Sequence, residues 1–139
     1  MNKEDIFLKA VEFRRHLHAH PELSTQEFQT QAYIADVLRE YSIPFRMYGT
    51  GIIATVGEGE QCVALRADMD ALGVTEETGL PYASENEGVM HACGHDMHMA
   101  MLLGAALVLK GMEKQLKGTV KLVFQPSEEK RPGGARLLL

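Results

Sequence analysis

The residues best suited to chemistry lie in two short segments of this chain. The first segment is MHACGHD at residues 90–96, and the second is the adjacent carboxylate pair Glu128-Glu129. Together they offer a thiolate, imidazoles and carboxylates, which are the ligand types that bind borderline transition metals in proteins. Within an adjacent carboxylate pair, one member can bind metal while its neighbour transfers a proton. The pattern therefore indicates metal-assisted hydrolysis.

Cys93 and His95 are separated by a single glycine, which lets both side chains turn toward one point. Three interpretations are open: a buried thiol beside a helix-capping histidine, a cysteine nucleophile with His95 as its base, and a pair of metal ligands. A nucleophile and its base are usually distant in sequence, whereas a thiolate beside an imidazole suits metal. Taken together with Glu128-Glu129, the metal interpretation is favoured.

Further acidic residues follow a predicted strand. Asp68 and Asp70 come at its carboxyl end, the place where open α/β sheets put their sites, although they could also be loop carboxylates that cap turns. Arg66 could simply pair with one of them. Glu128-Glu129 also follow an apolar strand directly, which favours a site over a surface acid pair.

Other polar residues lie around His95. His91 is a polar residue at the mouth of a predicted helix. Asp96 falls in the first turn, where a carboxylate is favourable to the helix dipole, and it could orient His95 through a hydrogen bond. His98 could share a helix face with His95. The alternating histidines of segment 16–20 lie near a helix end, where positive imidazoles are favourable without any metal.

The elements that must position these residues follow from periodicity and turn signals. A helix is predicted over residues 4–19 with a stop at Pro21, and a capping box at 24–27 predicts a second helix that runs to about Tyr41. Strands are predicted at 52–56, 62–67 and 118–124, and a third helix at 97–109. The tetrapeptide 57–60 is typical of a hairpin turn, and Cys62 of a small core residue in a strand.

The order of these elements predicts an α/β fold with helices packed on a partly parallel sheet. The polar segment from Asp68 to His91 is a long loop, and long loops inside a domain are usually functional. A length of 139 residues allows one domain at most. The last residues, 135–139, are typical of the first turn of a helix without a cap, so we expect a chain that stops inside an element.

Composition excludes several classes of protein. The formal charge of −5 and the lack of a basic run exclude a nucleic-acid surface. The longest apolar stretch, residues 99–109, is too short to span a bilayer, so no membrane partner is expected. The first residues contain no apolar signal region, and two cysteines are too few for a disulfide framework. We therefore expect a cytoplasmic protein.

Four segments in this order resemble one group of enzymes. They are RRHLHAHPEL at residues 14–23, ALRADMDAL at 64–72, MHACGHD at 90–96 and FQPSEE at 124–129. The chain is thereby similar to the metallopeptidase-related group of N-acyl-amino-acid amidohydrolases, hippurate hydrolases and indole-acetyl-amino-acid hydrolases. The resemblance covers the whole chain.

This resemblance implies the N-terminal part of a two-metal aminopeptidase-like catalytic domain, with a smaller domain that covers the site and supports a homodimer. It implies that Cys93, His95 and Glu129 bind metal, with Glu128 as the general base that passes a proton from water to the leaving amine. The two divalent metals would be manganese or zinc, with cobalt or nickel as further options. The implied substrate is an N-acyl amino acid carrying an acetyl, benzoyl or similar group.

The sequence differs from the family pattern at several points. Arg66 stands where related enzymes have a ligand histidine, so Asp68 is expected only to line the site, as are Asp70, His91 and Asp96. Gly73 replaces a more usual proline. The family draws two further histidine ligands, and its smaller domain, from sequence beyond Gly134. The alternative hypothesis is therefore a truncated, inactive remnant or a metal-binding module.

Overall fold

The computed structural model describes residues 1–139 as three helices and one four-stranded sheet. The helices are α1 (Lys3–Ala19), α2 (Phe28–Glu40) and α3 (His95–Gly111), and the strands are β1 (Phe45–Tyr48), β2 (Gly51–Gly57), β3 (Cys62–Asp68) and β4 (Thr119–Gln125). Short 3₁₀ helices occupy Glu113–Gln115 and Gly134–Leu138. Each predicted helix and strand is present, with ends that differ by a few residues.

Helix α1 begins with a capping box of its own. The Asn2 side chain accepts a hydrogen bond from the Asp5 backbone N–H, and the Asp5 carboxylate accepts one from the Asn2 N–H. The capping box predicted at residues 24–27 is wrong, because α2 begins only at Phe28. Its N-terminal N–H groups are instead satisfied by Glu22, whose carboxylate accepts hydrogen bonds from the backbone of Gln29 and Thr30.

The sheet has the strand order β1-β2-β4-β3. Strand β4 runs antiparallel to β2 and parallel to β3, so it lies between two strands that are neighbours in sequence. The hairpin predicted at residues 57–60 is therefore wrong. A parallel pair needs a long crossover connection, and the segment from residue 69 to 118, which includes α3, supplies it.

Helices α2 and α3 pack against one face of this sheet, and α1 packs on α3. Alternate residues of β2 and β4 are buried in a single core with α1, α2 and α3, while the residues between them are only partly buried. The strand residues of this core are Ile52, Ala54, Val56, Val120, Leu122 and Phe124. The predicted fold class, helices packed on a partly parallel sheet, is confirmed.

Strand β3 forms one edge of the sheet, and most of its side chains are exposed. Cys62 is exposed, so its prediction as a core residue is wrong. The reason is position rather than composition. An edge strand has a neighbouring strand on one side only, and the helices leave the β3 side chains before Ala67 exposed.

The helices of this structure do not combine the length and the apolar character that a membrane-spanning helix needs.

The ring of Tyr33 on α2 stacks on His16 of α1, with 3.8 Å between the ring centroids. Burial raises the pKa of the Tyr33 hydroxyl from 10 to about 12, so the folded state holds this proton more tightly than the unfolded chain. The resulting contribution to the free energy of unfolding is fully present below pH 10 and is lost as the pH rises toward 12.

We expect the Tyr33→Phe variant to lose less stability than the wild type between pH 10 and pH 12. The difference should be about 1 kcal/mol, because solvent screening reduces the full effect of the shift at this partly exposed site. Urea unfolding at pH 8, 10, 11 and 12 measures it, with both proteins compared at each pH. Parallel stability curves for the two proteins would contradict the assignment.

Candidate metal centre

The candidate site lies where β3, β4 and α3 meet. Because β3 and β4 are parallel and in register, Asp68 and Gln125 at their carboxyl ends are side by side. The segments that follow these two residues carry Asp70 and the Glu128-Glu129 pair. Helix α3 begins directly beside them, after Gly94, which has a left-handed φ of 86° that favours glycine.

His95 is buried, and its two ring nitrogens face different partners. Nδ1 lies 2.7 Å from the backbone carbonyl oxygen of Asp70, to which only a protonated nitrogen can donate. Nε2 faces carboxylate oxygens of Glu129 at 3.7 Å, Glu128 at 3.8 Å and Asp68 at 3.9 Å. The carbonyl contact fixes the ring so that Nε2 points into the acidic cluster, as in histidines that bind metal.

Three side chains of different chemistry converge at this point. Single ligand atoms of Cys93, His95 and Glu129 all lie within 4.8 Å of one another, as do those of two overlapping groups that include His95. A thiol, an imidazole and a carboxylate form a donor set suited to a transition metal. Residues 93, 95 and 129 could therefore hold a metal ion, and we call them the metal-site cluster.

The environment of Cys93 argues against its use as a nucleophile. The neighbouring Glu129 carboxylate, burial and the negative charge of Glu128 raise the pKa of the thiol. Reactive cysteines need the opposite shift, toward thiolate at neutral pH. Of the three interpretations left open by the sequence, the nucleophile is the one that the geometry least supports.

The Glu128 side chain has no hydrogen-bond partner and is partly exposed. About 40% of the side chain is exposed, and Oε2 lies 3.8 Å from His95 Nε2. Burial and the charge of Glu129 raise the pKa of the Glu128 carboxyl. A carboxylate with a raised pKa, free to change partners, is suited to proton transfer.

Asp70 organises the cluster from beneath. Its backbone carbonyl accepts from His95, and its Oδ2 accepts from the Ser24 hydroxyl at 2.5 Å and from the Glu129 backbone N–H at 2.9 Å. Its Oδ1 lies 3.3 Å from His95 Nδ1 and acts by charge, since that nitrogen donates to the carbonyl. Burial alone would raise the pKa of Asp70, but contacts with His95, Ser24 and Glu129 outweigh it and lower the pKa to about 2.

The same contacts affect the proton affinity of His95. Burial alone would lower its pKa, but Asp70 and the charge of Asp68 outweigh burial and raise the pKa to about 9. A metal ion at Nε2 would take the place of a proton there, so the acidic cluster is suited to either cation.

Asp96 does not orient His95, and that expectation is wrong. Its Oδ2 accepts hydrogen bonds from Arg14 at 2.9 Å and contacts His18 Nδ1 at 2.7 Å, both on α1. His18 is buried, and its Nε2 lies 2.9 Å from the Glu76 carboxylate in the long loop. This network ties α1, the loop and the first turn of α3 together, while Asp70 performs the orientation that the sequence assigned to Asp96.

The remaining predicted residues surround the cluster. Asp68 accepts a hydrogen bond from Arg66 at 2.5 Å and lies 3.7 Å from Nδ1 of the half-exposed His98. His91 is buried with neither ring nitrogen hydrogen-bonded, and burial lowers its pKa to about 4. His16 and His20 stack on each other away from the cluster.

Sequence reasoning missed three residues that support the site: His18, Ser24 and Glu27. His18 lies on the buried face of α1, and the helical pattern could have shown it as the one histidine of three on that face. Ser24 and Glu27 were assigned to a helix cap, and no local signal marks their contacts with Asp70 and Ser127.

The chain belongs to peptidase family M20/M25/M40, whose sequence model matches residues 64–139. The matched region includes most of β3, all of α3 and β4, and every residue of the metal-site cluster. This finding confirms the family resemblance that the four motifs indicated.

Several relatives and solved structures are similar to this chain. N-acetyl-L-cysteine deacetylase of Bacillus subtilis (strain 168) is 48% identical over 142 residues, which cover 99% of this chain and 34% of the deacetylase. N-acyl-L-amino acid amidohydrolase of Geobacillus stearothermophilus is 44% identical over 140 residues, which cover 95% of this chain and 37% of that protein. This chain therefore spans about a third of the length of these relatives.

Among solved structures, the chain is similar to the YXEP protein of Bacillus subtilis, described as a dinuclear metal binding peptidase from the M20 family. The TM-score is 0.92 at 43% identity, and the match covers 99% of this chain and 39% of the other. The predicted fold, that of a two-metal aminopeptidase-like catalytic domain, agrees with this similarity.

We expect the Asp70→Asn variant to bind zinc about 10 to 100-fold more weakly than the wild type, because it loses the negative charge beside His95 Nδ1 that makes the imidazole a more basic ligand, and such partners of a ligand histidine contribute on this scale. Calorimetric titration of the purified proteins with zinc at pH 7.5 measures the difference. The matched control is Asp36→Asn, which changes an exposed carboxylate on α2 that pairs only with Arg39. Equal zinc affinity in all three proteins would exclude a role for Asp70.

Proposed function

We propose that this chain supplies the metal-binding part of an amidohydrolase that cleaves the amide bond of N-acyl amino acids. The observation that carries the proposal is the metal-site cluster of Cys93, His95 and Glu129 with Glu128 beside it. The names of the deacetylase and amidohydrolase relatives support the substrate class. Each of those relatives is about three times as long as the aligned region, so the activity is proposed for the complete gene product.

In this proposal Cys93, His95 and Glu129 hold a divalent metal, zinc or manganese. When bound, the metal would polarise the scissile carbonyl and make water a stronger nucleophile. His95 contributes Nε2, because Nδ1 donates to the Asp70 carbonyl. The thiolate and imidazole favour zinc, whereas the carboxylates favour manganese.

Glu128 serves as the general base. Its carboxylate accepts a proton from the attacking water and passes the proton to the nitrogen of the leaving amine, which then departs as the free amino acid. The raised pKa of Glu128 suits both halves of this transfer, since the group must take the proton and then release it. Because the Glu128 carboxylate has no hydrogen-bond partner, its oxygens are free to take part in this proton transfer.

The domain organisation follows from the resemblance and is part of the proposal. Residues 1–139 form the N-terminal portion of the catalytic domain, and the remaining ligands and a smaller domain that supports a homodimer lie outside these residues. The fraction of each relative that aligns with this chain is consistent with such an arrangement.

We expect Glu128→Gln in the complete gene product to lower kcat for N-acetyl amino acids by about 10² to 10⁴-fold, with metal content unchanged, because only proton transfer is lost. Glu129→Gln should lower metal content and activity together. Ninhydrin assay of the released amino acid and elemental analysis of the dialysed proteins measure both quantities.

The matched control for these two variants is Glu58→Gln, an exposed glutamate in the turn after β2, which should match the wild type. Activity of Glu128→Gln near the wild-type level would exclude Glu128 as the base. Loss of activity on thiol alkylation, with no effect of a chelator, would instead favour a cysteine hydrolase.

A further inference from the structure

Glu27 is a fully buried carboxylate with no basic partner. Its Oε2 accepts a hydrogen bond from the Ser127 backbone N–H at 2.7 Å, and its Oε1 accepts one from the Thr50 hydroxyl at 3.0 Å. Burial raises the pKa of Glu27, which shows that the surroundings oppose its charge. Burial of a carboxylate is costly unless the group is hydrogen-bonded, and here the Ser127 N–H and the Thr50 hydroxyl supply these bonds.

Ser127 is held in an unusual backbone conformation by the segment that contains Glu27. Its φ is 52°, in the left-handed region that is uncommon for a residue with a side chain. Its hydroxyl accepts a hydrogen bond at 2.8 Å from the N–H of Thr25, which has a left-handed φ of 70°. Two such residues stabilise each other across 102 positions of sequence.

The next residue after Ser127 is Glu128. The Glu128 side chain has no hydrogen-bond partner, so its direction depends on the backbone that precedes and follows it. Asp70 holds the following residue through the Glu129 N–H at 2.9 Å, and Glu27 holds the preceding one through the Ser127 N–H. The turn that presents Glu128 is thus fixed at both ends by buried carboxylates on different segments.

We propose that Glu27 is a positioning residue, which directs the Glu128 carboxylate through its hydrogen bond to the Ser127 backbone. This inference rests on the proposed function, in which Glu128 is the general base. What this role requires of Glu27 is a side chain long enough to accept the Ser127 hydrogen bond, not a negative charge. Displacing a base by about 1 Å can lower a rate by about 10²-fold. A shorter side chain at position 27 that displaces Glu128 should therefore lower kcat measurably.

Two conservative variants separate the effect of side-chain length at position 27 from the effect of its charge. Glu27→Asp keeps the charge but is one methylene shorter and cannot contact the Ser127 N–H without moving it. Glu27→Gln keeps the length, since its Oε1 can accept from Ser127 while its amide donates to the Thr50 hydroxyl. Thermal unfolding and metal content first establish that both variants are folded and loaded with metal.

In the complete gene product, Glu27→Asp should lower kcat about 10 to 100-fold with KM and metal content unchanged, because only the base is displaced. Glu27→Gln should retain kcat within about threefold, since it preserves the hydrogen bond. Wild-type kcat in both variants, or an equal loss in both, would overturn the proposal.

If the wild type hydrolyses no N-acyl amino acid, the proposed function is wrong. The hydrogen bond from Ser127 to Glu27 can still be tested by a measurement that does not depend on activity. Hydrogen–deuterium exchange of the Ser127 amide should be about tenfold faster in Glu27→Asp than in Glu27→Gln, the effect of losing one hydrogen bond. Equal exchange rates in the two variants would overturn the positioning role independently of any activity.

Discussion

The hydrogen bonds of Asp70 join three segments that are far apart in sequence. Its carboxylate accepts from Ser24 before α2 and from the Glu129 backbone after β4, while its carbonyl accepts from His95 at the start of α3. Each of these contacts places a side chain or a backbone turn that the proposed chemistry needs. Removing the Asp70 carboxylate would leave the orientation of Glu129 to the surrounding loop.

The parallel pairing of β3 and β4 is what brings these segments into reach of Asp70. Both strands end at the same edge of the sheet, so the polar residues that follow them must meet there. Helices α2 and α3 pack on one face of the sheet, α1 packs on α3, and the apolar side chains of all three form one core with the strands. The apolar core therefore stabilises the fold, while the polar residues that follow the strand ends supply the proposed chemistry.

Buried polar groups around this centre connect its segments through hydrogen bonds. His18 and Asp96 connect α1 to the first turn of α3, and Glu27 connects α2 to Ser127. Groups of this kind are costly to bury, and each is hydrogen-bonded, which limits the alternative arrangements of the site. Glu128, by contrast, has no hydrogen-bonded partner, as a group that must exchange protons requires.

Local patterns in the sequence predicted the helices, three of the four strands and the clustering of Cys93, His95 and Glu129, because periodicity and strand-end positions reflect nearby residues. They could not predict that β4 inserts between β2 and β3, since strand order depends on long-range packing. The exposure of Cys62 follows from that same order. The role of Glu27 depends on a contact 100 positions away, so the local pattern favoured a helix cap instead.

The most direct test of a metal centre at Cys93 is X-ray absorption of the purified protein loaded with one equivalent of zinc. With a metal centre at Cys93, a sulfur neighbour should lie at about 2.3 Å from zinc in the wild type, and it should be lost in Cys93→Ser but retained in Cys62→Ser. A zinc site with only oxygen and nitrogen neighbours in the wild type, or a spectrum unchanged in Cys93→Ser, would contradict it.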